Sequence, residues 1–235
     1  MIEKEIEILR NRQLEMAGRL LAGFSHELKN HLAIIKESNG LIADLLSMGR
    51  VEDPALRTRF EKITDTINKR TLMAAEMAKH LNGFAHRSDT PLSPFQLHDV
   101  LNEELAFLSR FANLKSISLS LSFTNALPVV YTDPSLVQFI FASLFFHILP
   151  TLKSGGKIIV SSGLQNSSVS FGIVSEGKTS SDTVPGFDAV EHDQALQAAL
   201  RVIGASLSIQ PADGRNIIII CTIPLSLKSD AASTI

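Results

Sequence analysis

Phe24-Ser25-His26-Glu27-Leu28-Lys29-Asn30 lies inside an apolar repeat that decides the architecture of the first third of the chain. Leu21, Phe24, Leu28, His31, Ile35, Ser38, Ile42 and Leu45 recur at alternating steps of three and four, the spacing of a helix that buries one stripe. Upstream, Ile2, Ile6, Leu9, Gln13, Met16 and Leu20 follow the same rule with one polar layer. The two registers meet between Leu20 and Leu21, where the shift resembles a coiled-coil stutter.

The helix is expected to stop near Met48-Gly49. Asp53-Pro54 then caps a second helix, with proline at its first position. Its seam reads Leu56, Phe60, Ile63, Ile67, then Met73 or Ala74, Met77, Leu81 and Phe84. Two helices this long cannot bury both stripes against each other alone, so a homodimeric four-helix bundle is expected. A hairpin folded only on its own C-terminal part would leave much of the stripe wet.

Charge divides the chain. Residues 1–90 carry 27 Asp, Glu, Lys and Arg, and the remaining 145 residues carry 19. The first part reads as a solvated helical hairpin and the second as an apolar α/β domain. The boundary falls at Arg87-Ser88-Asp89-Thr90-Pro91, where polar residues and a proline end the helix. The organisation expected is a lead-in helix over 1–22, a helical hairpin over 23–88, an α/β domain over 91–228 and a tail over 229–235. A formal net charge of −2 points to no nucleic-acid partner. The single cysteine, Cys221, sits in an apolar run and reads as a small buried residue. One cysteine allows no internal disulfide, which suits a reducing cytoplasm. The charged start is no signal peptide, and no apolar run reaches the roughly 20 residues that span a bilayer. Any membrane link would come through a region upstream of this sequence.

Beyond the boundary, elements alternate. Residues 92–96 read as a short strand, 97–111 as a helix, 117–123 as a half-buried strand, 129–132 as a short extended stretch and 134–149 as an apolar helix. Strands follow at 157–161 and 169–174, then a loop over 175–188, a helix over 191–203 and closing strands at 206–210 and 216–223. This order gives an α/β sandwich, a mixed sheet with helices on one face.

Helical geometry sets the direction of His26. It stands two residues from both Phe24 and Leu28, so it points away from the buried stripe. Lys29 and Asn30 share its face, as do Ala22, Gly23 and Ala33. Small neighbours leave room for another protein to approach. A neutral imidazole nitrogen can attack phosphorus, and an adjacent carboxylate, here Glu27, can orient the ring or take its proton. Lys29 can balance phosphate charge, and Asn30 can hydrogen-bond a phosphoryl oxygen or position a water. A lone exposed histidine on a helix ordinarily does none of this, so spacing alone leaves the role open. His31 falls on the seam and reads as a buried polar layer that fixes register. The other histidines show no metal-ligand spacing.

The segment 16–46, with Phe24-Ser25-His26-Glu27-Leu28-Lys29-Asn30 at its centre, resembles the dimerisation and phosphoacceptor region of two-component sensor histidine kinases. The order of coiled coil, histidine helix, second helix and α/β domain resembles them over nearly the whole chain. The resemblance implies phosphorylation at His26, acid/base help from Glu27, and a role for Asn30 in dephosphorylating a partner. His31 stands where the family commonly has proline, so the helix should run straighter here.

In that family the second domain binds ATP and Mg²⁺, and here the resemblance breaks. Tyr131-Thr132-Asp133-Pro134 through Gln138 still resembles the approach to the first ATP helix. The family's two asparagines, four apart, align with Ala142 and Phe146, and residues 132–163 contain no asparagine. The adenine-reading Asp-x-Gly-x-Gly turn aligns with Val174-Ser175-Glu176-Gly177-Lys178, and no such motif occurs in the chain. The glycine-rich phosphate loop before Asp193-Gln194-Ala195-Leu196 has no glycines at that place. Ser175, Gly177, Ala142 and Phe146 are therefore degenerate positions, and Phe139, Phe141, Phe145 and Phe146 make the helix apolar nearly all round. No cofactor is expected, and ATP with Mg²⁺ enters only if substitute ligands form a divergent pocket.

The reading that follows is a cytoplasmic phosphorelay protein exchanging a phosphoryl group between His26 and the aspartate of a response-regulator receiver domain. Three alternatives stay open: an ATP-dependent kinase core, a non-catalytic regulator that pairs with a true kinase, and a receiver phosphatase using Asn30.

Overall fold

The computed structural model describes residues 2–47, 53–124, 126–165, 167–177, 187–212 and 216–226. The expected helix end at Met48-Gly49, most of the loop over 175–188 and the tail over 229–235 lie outside them. Two helices open the chain, α1 (Ile2–Ser47) and α2 (Pro54–Arg87). There follow β1 (Ser93–Phe95), α3 (Leu97–Leu114), β2 (Ser118–Ser122), β3 (Val130–Thr132), α4 (Pro134–Ile148), β4 (Lys157–Gln165), β5 (Ser168–Glu176), α5 (Phe187–His192), α6 (Gln194–Val202), β6 (Ser206–Ala212) and β7 (Asn216–Pro224). A helical hairpin followed by an α/β layer is the expected fold class.

The chain divides into two compact units, Leu21–Asn82 and Met1–Leu20 with Gly83–Ile235. In the hairpin unit, Phe24, His31 and Leu45 of α1 and Leu56 of α2 are buried. Leu28, Ile35, Ser38 and Ile42 are half-buried, and the exposed residues lie off this line. Leu21 is exposed, because Leu20 takes the buried position where the two registers meet. On α2, Ala74 continues the stripe and Met73 points outward. The Asp53 carboxylate accepts the backbone N–H of Ala55 at 2.9 Å, which caps α2 as Asp-Pro implies.

In the second unit, a five-stranded sheet runs in the order β2-β4-β5-β7-β6. Only β2 and β4 pair in parallel, and the other pairs are antiparallel. A small antiparallel pair, β1 with β3, stands apart. Alternate residues Ile158 and Val160, Phe171 and Ile173, and Ile217, Ile219 and Cys221 are buried. The register sets Val160 beside Ile173 and Ile173 beside Ile219. These side chains form one face, against which α3, α4 and α6 lie. Burial pushes the Cys221 thiol up to about 12, so it behaves as core and not as a nucleophile.

The helix α4 is the centre of this core. Leu136, Val137, Phe139, Ile140, Phe141, Ala142, Leu144, Phe145 and Ile148 are all buried. Pro134–Thr151 is apolar and long enough to pass for a membrane span, but 78% of it is buried inside the protein, as a core helix is. The N-terminal stretch of α1 belongs to this unit. Its stripe of Ile6, Leu9, Gln13, Met16 and Leu20 is half-buried or buried, and Arg201 of α6 pairs with Glu5 at 3.0 Å. The expected single helix over 191–203 is two. Asp193 interrupts it and caps α6, its Oδ1 accepting the N–H groups of Ala195 and Leu196 at 3.1 Å. Local side-chain to backbone bonding beats helix continuation there.

Candidate functional site

His26 is exposed near the middle of α1, as its offset from the stripe requires. One turn on, Asn30 reaches its ring, with the amide nitrogen 3.2 Å from Nδ1. An asparagine side chain carries both a donor and an acceptor, so it can hold either neutral tautomer of the ring. With the amide oxygen turned inward it accepts from Nδ1–H, and the lone pair then lies on Nε2. Lys29 is exposed beside the pair, and Glu27 is half-buried next to it in the chain. Ala22 and Ala33 flank the histidine as exposed small residues, whereas Gly23 is buried and does not belong to its open face. Backbone geometry thus brings His26 and Asn30 into contact and sets Lys29 and Glu27 to either side.

His31 is 5% exposed, and the Arg70 guanidinium approaches its Nδ1 at 3.5 Å. The seam position holds this ring inside the hairpin, with a polar partner from the second helix. The two histidines, five residues apart, therefore face opposite environments.

The second region of interest lies along α4. A cleft of about 220 Å³ is lined by Arg12, Glu15, Arg19, Ser143, His147 and Asp193, among others. The Arg19 guanidinium lies 3.6 Å from the centroid of Phe146, a cation–π contact. Phe111 meets Phe146 edge-on at 5.1 Å. The His147 ring and Asp193 Oδ2 are 3.0 Å apart. Burial works to raise the Asp193 carboxyl, but the hydrogen bonds from His147 and Leu196 and the charges of His147 and Arg12 outweigh it. The net result is a carboxylate held below its ordinary range.

Of the two aligned positions Phe146 lines this cleft and Ala142 does not, and the polar side chains that α4 adds to the cleft stand one position later. Ser143 and His147 are also four apart. A spacing of four marks a face only when the register is known, and a helix apolar nearly all round gives no register.

No protein-family model matches the chain. Among curated proteins, the sensor histidine kinase ZraS of Escherichia coli strain K12 is 25% identical over 174 residues, which is 73% of this chain and 35% of that protein. Over that stretch the chain is similar to two-component sensor histidine kinases. Sporulation kinase E of Bacillus subtilis is 23% identical over 169 residues, or 67% of this chain and 20% of that protein. A solved histidine kinase from Burkholderia phymatum STM815 aligns over 93% of this chain and 98% of its own, with a TM-score of 0.49 and 14% identity. The chain spans about a third of the length of ZraS.

Set against a sensor kinase's expected nucleotide site, the two positions aligned with the family's asparagines supply no oxygen ligand. Mg²⁺ requires near-octahedral oxygen ligands. Ala142 is fully buried and offers none, and Phe146 lies under Arg19. Asp193 is committed to the cap of α6 and to His147. Ser175 lies in the stretch that the resemblance aligns with the adenine-reading turn. It is fully buried, and its hydroxyl accepts the N–H of Ile217 at 3.0 Å. Gly177, at φ 130°, serves the chain itself: a Cβ there would lie 3.1 Å from the Gly156 Cα. Among the described residues no His, Cys, Asp and Glu cluster could hold a metal ion.

Proposed function

We propose that the chain is a homodimeric, cytoplasmic phosphorelay protein that carries a phosphoryl group on His26. It exchanges that group with the aspartate of a response-regulator receiver domain, without ATP. The observation that carries this reading is an exposed His26 whose Nδ1 is engaged by Asn30. The side chains of Ala142 and Phe146, which offer no oxygen to a magnesium ion, support a reading without nucleotide chemistry.

In this mechanism Asn30 presents its oxygen to Nδ1–H, which leaves the nucleophilic lone pair on Nε2. Nε2 attacks the phosphorus of an aspartyl phosphate. The N–P bond forms as the P–O bond to aspartate breaks, and the aspartate leaves as a carboxylate. Lys29 balances charge on the phosphoryl oxygens, the ring keeps its proton on Nδ1 against the Asn30 oxygen, and the Glu27 carboxylate offsets the charge of the phosphorylated ring. Reversal of the same steps delivers the group to a receiver.

Dimerisation rests on what one hairpin leaves uncovered. Leu32, Leu41, Leu72 and Met73 are 46–70% exposed, and most of both stripes is only half-buried. A second copy would bury them as a four-helix bundle.

Incubation with a phosphorylated receiver domain tests the proposal. Label should reach the wild-type chain and not His26→Ala. Equal labelling of the variant, or none of the wild type, contradicts it. Labelling of His26 from Mg-ATP alone would instead identify a kinase core.

A further inference from the structure

The second unit contains a cavity of about 430 Å³, larger than the α4 cleft and separate in character. Its walls are apolar, with Leu14, Met16 and Leu20 from α1, Phe84 from α2, and Phe139 and Ala142 from α4. Two polar side chains line it from within the core. Glu104 of α3 is fully buried and Gln138 of α4 is 4% exposed. Both carboxyl oxygens of Glu104 and the amide nitrogen of Gln138 lack a hydrogen-bond partner within the protein. Buried polar groups nearly always have partners, and a pair left open in one cavity marks a place where something else supplies them.

We propose that this cavity is a binding site for a small uncharged amphiphile. Its apolar body lies against the α1 and α4 side chains, and its head group both donates and accepts hydrogen bonds, as a carboxamide does.

The chemistry of the walls selects the class. A volume of about 430 Å³ falls within the range of small-molecule sites. Burial, with the Glu103 charge beside it, pushes the Glu104 carboxyl up to about 8. At neutral pH Glu104 is a neutral acid that offers one O–H donor and one carbonyl acceptor. Gln138 offers N–H donors. A carboxamide oxygen accepts from both, while its N–H₂ donates to the Glu104 carbonyl. Arg10 lines the cavity as an exposed residue and makes no ion pair with Glu104, and Arg87 is bound to Glu103 at 2.9 Å. No described buried cation therefore lines the cavity to hold a carboxylate ligand, and a cationic ligand would have to ionise Glu104 inside an apolar shell.

Octanamide is a suitable probe, with octylammonium and octanoate as charged-head controls, each titrated calorimetrically into the full chain. Octanamide should bind the wild type and raise its Tm, as any ligand selective for the native state does. Glu104→Leu should lower affinity about tenfold or more, the scale expected when a head group loses its buried hydrogen-bond partner. This variant removes an unpartnered carboxyl, so it should fold with a higher Tm in the absence of ligand. Glu104→Gln keeps a neutral donor and acceptor and should bind within about threefold of wild type, while Ala142→Phe should occlude the cavity. Three results would overturn the proposal: no binding of octanamide by the wild type (a cavity holding water alone), equal binding by Glu104→Leu, or tighter binding of octylammonium than of the amide.

Discussion

At the scale of single residues, two groups of opposite kind matter most. His26 is exposed and engaged by Asn30. Because Asn30 is exposed, Asn30→Ala should change stability by less than about 0.5 kcal/mol. Under the proposed mechanism it should slow phosphoryl exchange about tenfold or more, by releasing the ring orientation. Stopped-flow phosphotransfer beside thermal unfolding separates the two effects. Glu104 is buried without a partner and holds its proton to about 8, against an ordinary 4.5. The native state then binds a proton that the unfolded state releases at lower pH. The stabilising linkage is complete below about 4.5 and disappears as pH rises toward about 8. Denaturant unfolding should show stability falling through that window at up to about 1 kcal/mol per pH unit, and Glu104→Leu should flatten it. The direction of His26 was legible, because two residues from a seam on both sides is outward. Glu104 was legible in principle too. Leu97, Leu101, Glu104 and Leu108 follow the same three-four rule, so the glutamate occupies a core position, but its neighbour Glu103 makes the pair look solvated.

At the scale of elements, strongly periodic helices and the Asp-Pro cap of α2 could be read almost to their ends. What escaped reading was decided by neighbours. The run Ser162-Gly163-Leu164-Gln165 looks like a turn, yet it continues β4, because every residue of it pairs with β5. The break at Asp193 is another case, since the stretch after it is a good helix former in its own right. Asp193→Ala should cost about 1 kcal/mol or more, combining a lost cap with a lost partner for His147. The measurement is the denaturation midpoint, and Asp193→Asn, which retains a capping oxygen, should recover part of the loss. An unchanged midpoint in the alanine variant would show that the cap and the His147 contact carry no stability. The register of α4 could not be read at all. Phenylalanine and leucine surround that helix, and only the fold reveals that Ser143, Phe146 and His147, and not Ala142, face the cleft.

At the scale of the whole molecule, the same helical repeat serves two ends. In α1 it buries one stripe in the hairpin unit, while its first twenty residues belong to the α/β unit. A repeat of apolar residues specifies that a face is covered without specifying by what, and the lead-in stretch reads equally as coiled coil or as a docked helix. Association should be visible in sedimentation equilibrium as twice the chain mass of 25.6 kDa. Replacing Leu32 and Leu72 with glutamate should shift the protein to monomer while leaving the α/β unit folded, and a wild-type monomer at micromolar concentration would remove the bundle from the proposal. The central claim is that His26 carries phosphate without nucleotide chemistry in the same chain. The most direct measurement supplies labelled phospho-receiver and labelled Mg-ATP in parallel to the purified chain, and locates the label by mass spectrometry. The account predicts label on His26 from the receiver and none from ATP. Label on His26 from ATP, or on neither, would contradict it.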